Sequence, residues 1–463
     1  MFFILEATMK KIVCEATIST LLQRKREDPK AKRLAIINQA KNKQGLSLEE
    51  SASLLHIKNA DELAALYAAA SEIKQAIYGN RVVMFAPLYT SNECTNNCLY
   101  CGFRVENQEL VRKTLTIEEI VAEANEMVRQ GHKRLLLVCG EDQKQSPLQH
   151  TIDVIGAIYQ QTGIRRINVN AAPMSVESFK ELKKANIGTY QIFQETYHRE
   201  TYQRMHQVGL KSDYDYRLTA IDRALEAGID DFGIGALLGL YDYKFEVLAT
   251  LMHANYLDTI YGIGPHTVSV PRLKEAPGSA LKEVPYKVTD EEMKKIVAIY
   301  RLALPYTGII LSTREATTLR DELLEVGVSQ LSAGSKTNPG GYDHQTKNAN
   351  QFEISDERTL EEMIATICEK GYLPSFCTAC YRGGRTGERF MKLAKTGDIH
   401  KLCQPNSIMT FQENIEDFAP APLKANYQNI IAREIAKIED KKIKELTQDR
   451  VKKIQNGERD LYL

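Results

Sequence analysis

From Arg81 to Ala333 short apolar runs alternate with longer amphipathic stretches, and this alternation restricts the fold more than any other feature of the chain. Eight runs read as strands: Val82–Tyr89, Arg134–Cys139, Ile167–Ala171, Tyr190–Gln194, Phe232–Leu238, Thr267–Val270, Ile309–Ser312 and Val328–Ala333. Helices fill the intervals. Thr116–Gln130 opens on the capping box Thr116-x-x-Glu119 and closes at Gly131, and Thr289–Leu304 opens on Thr289-x-x-Glu292. Strand, crossover helix and strand in repetition give a parallel sheet with right-handed connections. Eight such units over about 250 residues close into a TIM-like (β/α)8 barrel. The expected class is therefore α/β, with function at the C-terminal ends of the strands.

Residues 1–80 read as an N-terminal helical extension, with a capping box Ser47-x-x-Glu50 and an Ala/Leu-rich run from Asp61 to Ile77. The barrel is expected over 81–340. After Gly334 the text turns polar and turn-rich, so 341–463 is expected as a separate, mainly helical C-terminal domain. Past Pro422, Ile431, Ile435 and Ile438 form a helical stripe that packs on the barrel. Lys+Arg and Asp+Glu both total 60, so no global field draws the chain to nucleic acid or a membrane surface. A small zwitterionic ligand fits better. The apolar start Met1–Leu5 meets Glu6 too soon for a signal peptide, and no stretch reaches membrane-spanning length. Nine Cys without an export signal belong to a reducing compartment, where clustered Cys means metal more often than disulfide. The expected location is cytoplasmic.

Cys94, Cys98 and Cys101 form a C-x3-C-x2-C loop directly after the first run, on the functional face of the expected barrel. An iron–sulfur cube normally takes four thiolates. Three leave one iron open for a substrate or cofactor, whereas a structural zinc site is closed by four ligands. No fourth Cys or His lies within thirty residues of this loop. Cys377 and Cys380, followed by Cys403, make a second incomplete set. A second open cluster is the direct reading, and a zinc site completed by Cys368 or His400 is the rival. Leu360, Met363, Ile364, Ile367 and Cys368 follow helical spacing, which places Cys368 in the core.

The first cysteine loop, with the aromatic Tyr100 before its last Cys, resembles the signature of radical S-adenosylmethionine (SAM) enzymes. In those enzymes the free iron of a 4Fe-4S cluster chelates SAM. On this resemblance Gly140 and Glu141 match the Gly-Gly-Glu motif that receives the SAM amino group, with Cys139 in place of the first Gly. Glu195 corresponds to the acidic residue on the ribose, and Arg217 to the Arg on the SAM carboxylate.

Four further segments carry a narrower resemblance: Gln-Glu-Thr-Tyr at 194–197, Gly-Pro-His-Thr-Val-Ser-Val-Pro-Arg at 264–272, Ser-Thr-Arg-Glu at 312–315 and Cys-Thr-Ala-Cys-Tyr-Arg-Gly-Gly-Arg-Thr-Gly at 377–387. Together they resemble the HydG family of tyrosine lyases, which mature FeFe-hydrogenase, across essentially the whole chain. The thiamine-pathway tyrosine lyases are similar but lack the second cysteine group. The resemblance implies radical cleavage of L-tyrosine to p-cresol and dehydroglycine, then carbon monoxide and cyanide formation at a second 4Fe-4S cluster bearing an additional iron and free L-cysteine. It also implies an electron donor and hydrogenase maturation proteins as partners. Ser312 and Arg314 are the expected anchors of the tyrosine carboxylate, and His266 the expected ligand of the additional iron. Two distant sites require an internal passage along the barrel axis. The competing readings are a 2-iminoacetate synthase of thiazole synthesis, stopping at dehydroglycine, and a non-catalytic iron–sulfur carrier.

Overall fold

The computed structural model of the chain describes residues 12–342 and 350–463; the Met1–Leu5 start lies outside the described residues. Eight parallel strands close a barrel: β1 Arg81–Ser91, β2 Arg134–Cys139, β3 Arg166–Asn170, β4 Tyr190–Gln191, β5 Phe232–Gly235, β6 Thr267–Ser269, β7 Gly308–Leu311 and β8 Gln330–Ser332. They neighbour one another in sequence order, and β1 pairs with both β8 and β2 to complete the ring. All eight expected runs are strands. The run at Tyr190–Gln194 shortens to two residues of regular strand, although Ile192 N and Gln194 N still donate to Gly233 O and Gly235 O and Glu195 bridges Ala236.

The capping boxes at Ser47, Thr116 and Thr289 all form, each with its Glu three residues on. Local signals of this kind survive because both partners lie within one helical turn. Among the described residues four helices precede the barrel, the longest being Ala60–Tyr78, which packs on the helix Asp290–Ala303. Its apolar face, with Leu66, Ala69, Ala70 and Ile73, is at most 1% exposed.

A ninth strand was not expected. Strand β9, Leu373–Ser375, runs parallel to the start of β1, pairing Arg81 with Leu373, Val82 with Pro374 and Val83 with Ser375. Pro374 lacks an N–H, which an edge strand tolerates, and its presence hides the strand from a pattern search. The rest of the C-terminal region is helical, with Leu360, Met363, Ile364, Ile367 and Cys368 on the buried face of Leu360–Glu369. Ile431, Ile435 and Ile438 are buried as well. The segment entering this region is tied down by Asp356, buried between Arg320 and Arg358.

A TIM barrel is normally filled by bulky branched side chains. Here much of the inner face is polar or lacks a side chain. A Cβ on Gly233 would lie 2.4 Å from Thr267 Oγ1, and one on Gly308 2.7 Å from Gln330 Nε2. These two glycines leave the axis to hydroxyl and amide groups. Among the described residues no helix is long and apolar enough to cross a membrane.

Candidate functional sites at the two ends of the barrel

The upper site lies at the C-terminal ends of the strands, in a cavity of about 190 Å³. Cys94, Cys98 and Cys101 line it, carried by the loop that follows β1. The loop is fixed by backbone bonds from Thr95 N to Glu141 O (3.1 Å), Asn97 N to Val208 O (3.2 Å) and Gly102 N to Gln351 O (3.1 Å). A Cβ on Gly140 would meet Glu93 O at 2.1 Å, so the loop after β2 rests directly on the cysteine loop. Glycine there serves close approach. Burial pushes all three thiols up, Cys101 to about 11. A bound metal must therefore supply the charge that stabilises the thiolates.

Opposite the thiols stands a set of four charges, Arg217 and Glu195 buried and Lys211 and Glu141 largely so. Arg217 Nη1 lies 3.1 Å from Glu141 Oε1 and its Nη2 3.7 Å from Glu195 Oε1, while Lys211 Nζ lies 2.5 Å from Glu195 Oε1. Asn96 Nδ2 donates to Glu141 Oε2 at 2.8 Å. Burial opposes ionisation of Glu141, but Arg217 and Lys211 hold its carboxyl below the usual carboxylate range. Lys211 and Arg217 do the same for Glu195. Two cations and two anions facing one cavity suit a zwitterion, as SAM is. Together with three thiolates, the donor set fits a three-thiolate iron–sulfur cluster and SAM. Arg217 is 5% exposed, which removes the surface-Arg alternative.

Tyr100, whose hydroxyl lies 2.8 Å from His206 Nε2, lines the same cavity, as do Gly140, Ser312 and Arg314. The Arg314 guanidinium lies 3.3 Å from the Phe352 ring centroid, a cation–π contact at close range. Cys139 also lines the cavity.

The lower site is a cavity of about 60 Å³ at the N-terminal ends of the strands, lined by Cys377, Cys380, Cys403 and His266. Strand β9 places it there, since Cys377 follows Ser375, which pairs with Val83 near the foot of β1. Cys380 and Cys403 share a hydrogen bond that holds the Cys403 thiol low and the Cys380 thiol high. Burial raises Cys377 to about 11. His266 Nδ1 lies 3.2 Å from Asp231 Oδ2, and its ring packs on Phe390 with centroids 4.4 Å apart. Burial lowers its pKa and keeps the ring neutral, against the pull of Asp231. A carboxylate at one ring nitrogen can orient a metal-ligating His and leave the other nitrogen for metal; here Asp231 stands within reach, though neither of its oxygens makes an aligned hydrogen bond.

Neither rival zinc ligand joins this set. Cys368 is in the core, and His400 packs beside Gly79 rather than lining the cavity. Among the described residues no three His, Cys, Asp or Glu side chains gather closely enough to chelate one ion. The thiols instead rim a cavity, as a polynuclear cluster requires.

Several functional candidates escaped the sequence. Lys211 and Asn96 complete the upper charge set, Asp231 faces His266 at 3.2 Å, and Arg81 and Arg134 bring two buried guanidinium groups to the lower cavity. Asn96 sits inside the cysteine loop at a position its spacing leaves open, and the others belong to no motif and reach their sites through the barrel's closure.

Comparison with known proteins agrees with this anatomy. Residues 88–253 match the radical SAM superfamily and residues 269–373 the biotin and thiamin synthesis associated domain. The chain is 33% identical over 345 residues to 2-iminoacetate synthase of Escherichia coli, covering 74% of this chain and 90% of that protein. A crystal structure of HydG, a maturase of the FeFe-hydrogenase, superposes with a TM-score of 0.95 and 49% identity, covering 98% of this chain and 100% of that one. The FeFe-hydrogenase maturase HydG from Carboxydothermus hydrogenoformans superposes with a TM-score of 0.83 and 42% identity, covering 95% and 100%.

Proposed function

The chain belongs to the HydG family of radical SAM maturases, and from that premise we propose that it cleaves L-tyrosine to p-cresol and dehydroglycine at the upper site and forms carbon monoxide and cyanide at the lower one. The observation that carries this reading is the pairing of two open thiol sets, one at each end of a barrel with a polar axis. A single radical reaction needs only the first. The chain's division into 1–80, 81–340 and 341–463 then separates a supporting extension, the tyrosine-cleaving barrel and the part that holds the second cluster.

Held by Cys94, Cys98 and Cys101, a 4Fe-4S cluster with SAM supplies the one-electron reduction and hydrogen abstraction. Glu141, Glu195 and Arg217 hold the zwitterionic cofactor by charge. Tyr100 closes the wall beside the cysteine loop. Arg314 and Ser312 receive the tyrosine carboxylate, the guanidinium held flat by Phe352. The polar axis then offers dehydroglycine a path shielded from bulk water. At the lower site Cys377, Cys380 and Cys403 would hold a second 4Fe-4S cluster, and His266, with free L-cysteine, an additional iron. Arg81 and Arg134 offset the negative charge of such a group. The reading implies a cytoplasmic protein served by an electron donor and acting with hydrogenase maturation proteins.

The likeness to 2-iminoacetate synthase favours a second reading, in which the reaction stops at dehydroglycine. Anaerobic turnover with SAM, a reductant and tyrosine decides. Both p-cresol and carbon monoxide are expected; p-cresol alone would favour the second reading, and neither product would leave an iron–sulfur carrier.

Arg314→Ala should raise the tyrosine KM at least about thirtyfold, the cost of stranding a buried carboxylate, with the SAM KM changed much less. Equal changes would move Arg314 out of the substrate site. His266→Ala should keep both clusters and p-cresol formation while losing the additional iron. Electron paramagnetic resonance of the reduced variant with L-cysteine checks this: a coupled-iron signal unchanged from the parent would return His266 to a lining role.

A further inference from the structure

Glu195 adopts φ +68°, a left-handed conformation that side chains other than glycine, Asn and Asp seldom take. A conformation of this kind persists only where the surroundings over-determine it. On one side, Glu195 O accepts from Leu237 N at 2.7 Å and Gln194 N donates to Gly235 O at 3.1 Å, which fixes the chain entering the turn. The exit is held by a backbone bond across the turn, Thr196 N to Gln194 O at 2.9 Å, and by side chains, Glu246 foremost. Glu246, fully buried on the helix Tyr243–Tyr261, accepts from Thr196 Oγ1 and, at 2.9 Å, from Tyr197 N. Thr196 and Tyr197 are themselves at most 1% exposed. Tyr197 is further pinned by Tyr214 Oη, which donates to its carbonyl at 2.8 Å, and by His253 Nδ1, 3.0 Å from its hydroxyl.

We infer that Glu246 is a positioning residue for SAM: by clamping Thr196 and Tyr197 it holds Glu195 in the left-handed conformation that aims its carboxylate at the ligand. The inference rests on the reading of Glu195 as a SAM-binding residue. Glu246 lines neither cavity, so it acts through the backbone and not by touching the ligand. With the clamp removed, Glu195 relaxes toward φ below zero. Its carboxylate then leaves Lys211 and Arg217, and the four-charge set facing the cofactor loses one anion. Burial pushes the Glu246 carboxyl up to about 8, so the group is largely protonated at neutral pH. Once Oε1 is protonated the bond to Thr196 reverses, Oε1–H donating to Thr196 Oγ1 while Oε2 still accepts from Tyr197 N, and a carboxamide reproduces that pattern with its NH2 group and its oxygen.

The test compares Glu246→Ala, Glu246→Gln and Thr196→Val in the cluster-loaded enzyme, reading KM for SAM and for tyrosine separately and, without turnover, the dissociation constant of SAM by equilibrium dialysis, which should move with the SAM KM. Glu246→Ala should raise the SAM KM about tenfold with the tyrosine KM unchanged, as release of a strained conformer implies. Glu246→Gln should restore the parent value to within about twofold. If the alanine variant does not fold, Thr196→Val, which keeps volume and removes one bond of the clamp, carries the test with a rise of about threefold in the SAM KM alone. Introducing Glu246→Ala (or Thr196→Val) into Glu195→Ala should add nothing further, because the residue it positions is gone. Additive effects, or equal shifts in both KM values, would overturn the inference. Glu195→Ala having no effect on SAM would instead overturn the reading of Glu195 on which it rests.

Discussion

Replacing Cys94, Cys98 and Cys101 together by Ala is expected to reduce reductive cleavage of SAM to the level of a protein-free control. These are the thiols that the loop after β1 brings to the four-charge cradle. Cys139, on the wall of the same cavity, is a single sulfur and cannot hold an iron–sulfur cube in their place. The fold should survive, since the loop is held mainly by backbone bonds to Glu141, Val208 and Gln351. A change from Cys to Ala removes one sulfur per site and frees one backbone donor, Phe103 N, which bonds Cys101 Sγ at 3.4 Å. Production of 5′-deoxyadenosine is the measurement, with circular dichroism confirming the fold. Retained 5′-deoxyadenosine in the triple variant would remove the upper site from SAM chemistry altogether.

The second large effect separates the two ends of the barrel. Cys377→Ser with Cys380→Ser should suppress carbon monoxide to background while p-cresol formation stays within about threefold of the parent, the scatter expected for sites too far apart to couple directly. The two thiols line the lower cavity and none of the upper one. Serine is close to cysteine in shape and a poor ligand for a soft iron–sulfur site. Paired gas and p-cresol assays on one sample give the ratio directly. Loss of both products in a protein whose upper cluster is still assembled would show that the lower site supports tyrosine cleavage and is not merely downstream of it.

The barrel was legible because periodicity repeats: eight apolar runs and the capping boxes at Thr116 and Thr289 each state the same plan locally. The cysteine groups were legible because ligand spacing within a loop is a short-range property. Which end of the barrel the second group occupies was not, since that depends on the three residue pairs joining β9 to β1. Lys211 shows the same limit in the upper site. Its neighbours Leu210 and Ser212 form no motif, and its meaning comes from Glu195, reached only after the chain has crossed the cavity. The left-handed backbone at Glu195 is likewise invisible, because a glutamate carries no sequence mark of strain. Sequence therefore shows what is repeated or adjacent, and hides what tertiary closure brings together.

Strand β1 has 11 residues, where β4 has two. Its first residues pair with β9 and its last with β2, so one ribbon, with a single register shift between Tyr89 and Ser91, bears the foot of the lower chamber and the root of the upper cysteine loop. At about 3.3 Å per residue such a strand spans roughly 33 to 36 Å. It acts as a ruler. The distance between the two chambers is a covalent length and cannot drift with loop sequence, while insertions elsewhere in the ring leave it untouched. Deleting one residue within the ruler would also turn every later side chain to the opposite face, exchanging the inward Phe85 and Tyr89 for neighbours that belong outside. Descendants of this chain are therefore free to vary their loops and their C-terminal helices, but the length of this one strand is inherited whole or not at all.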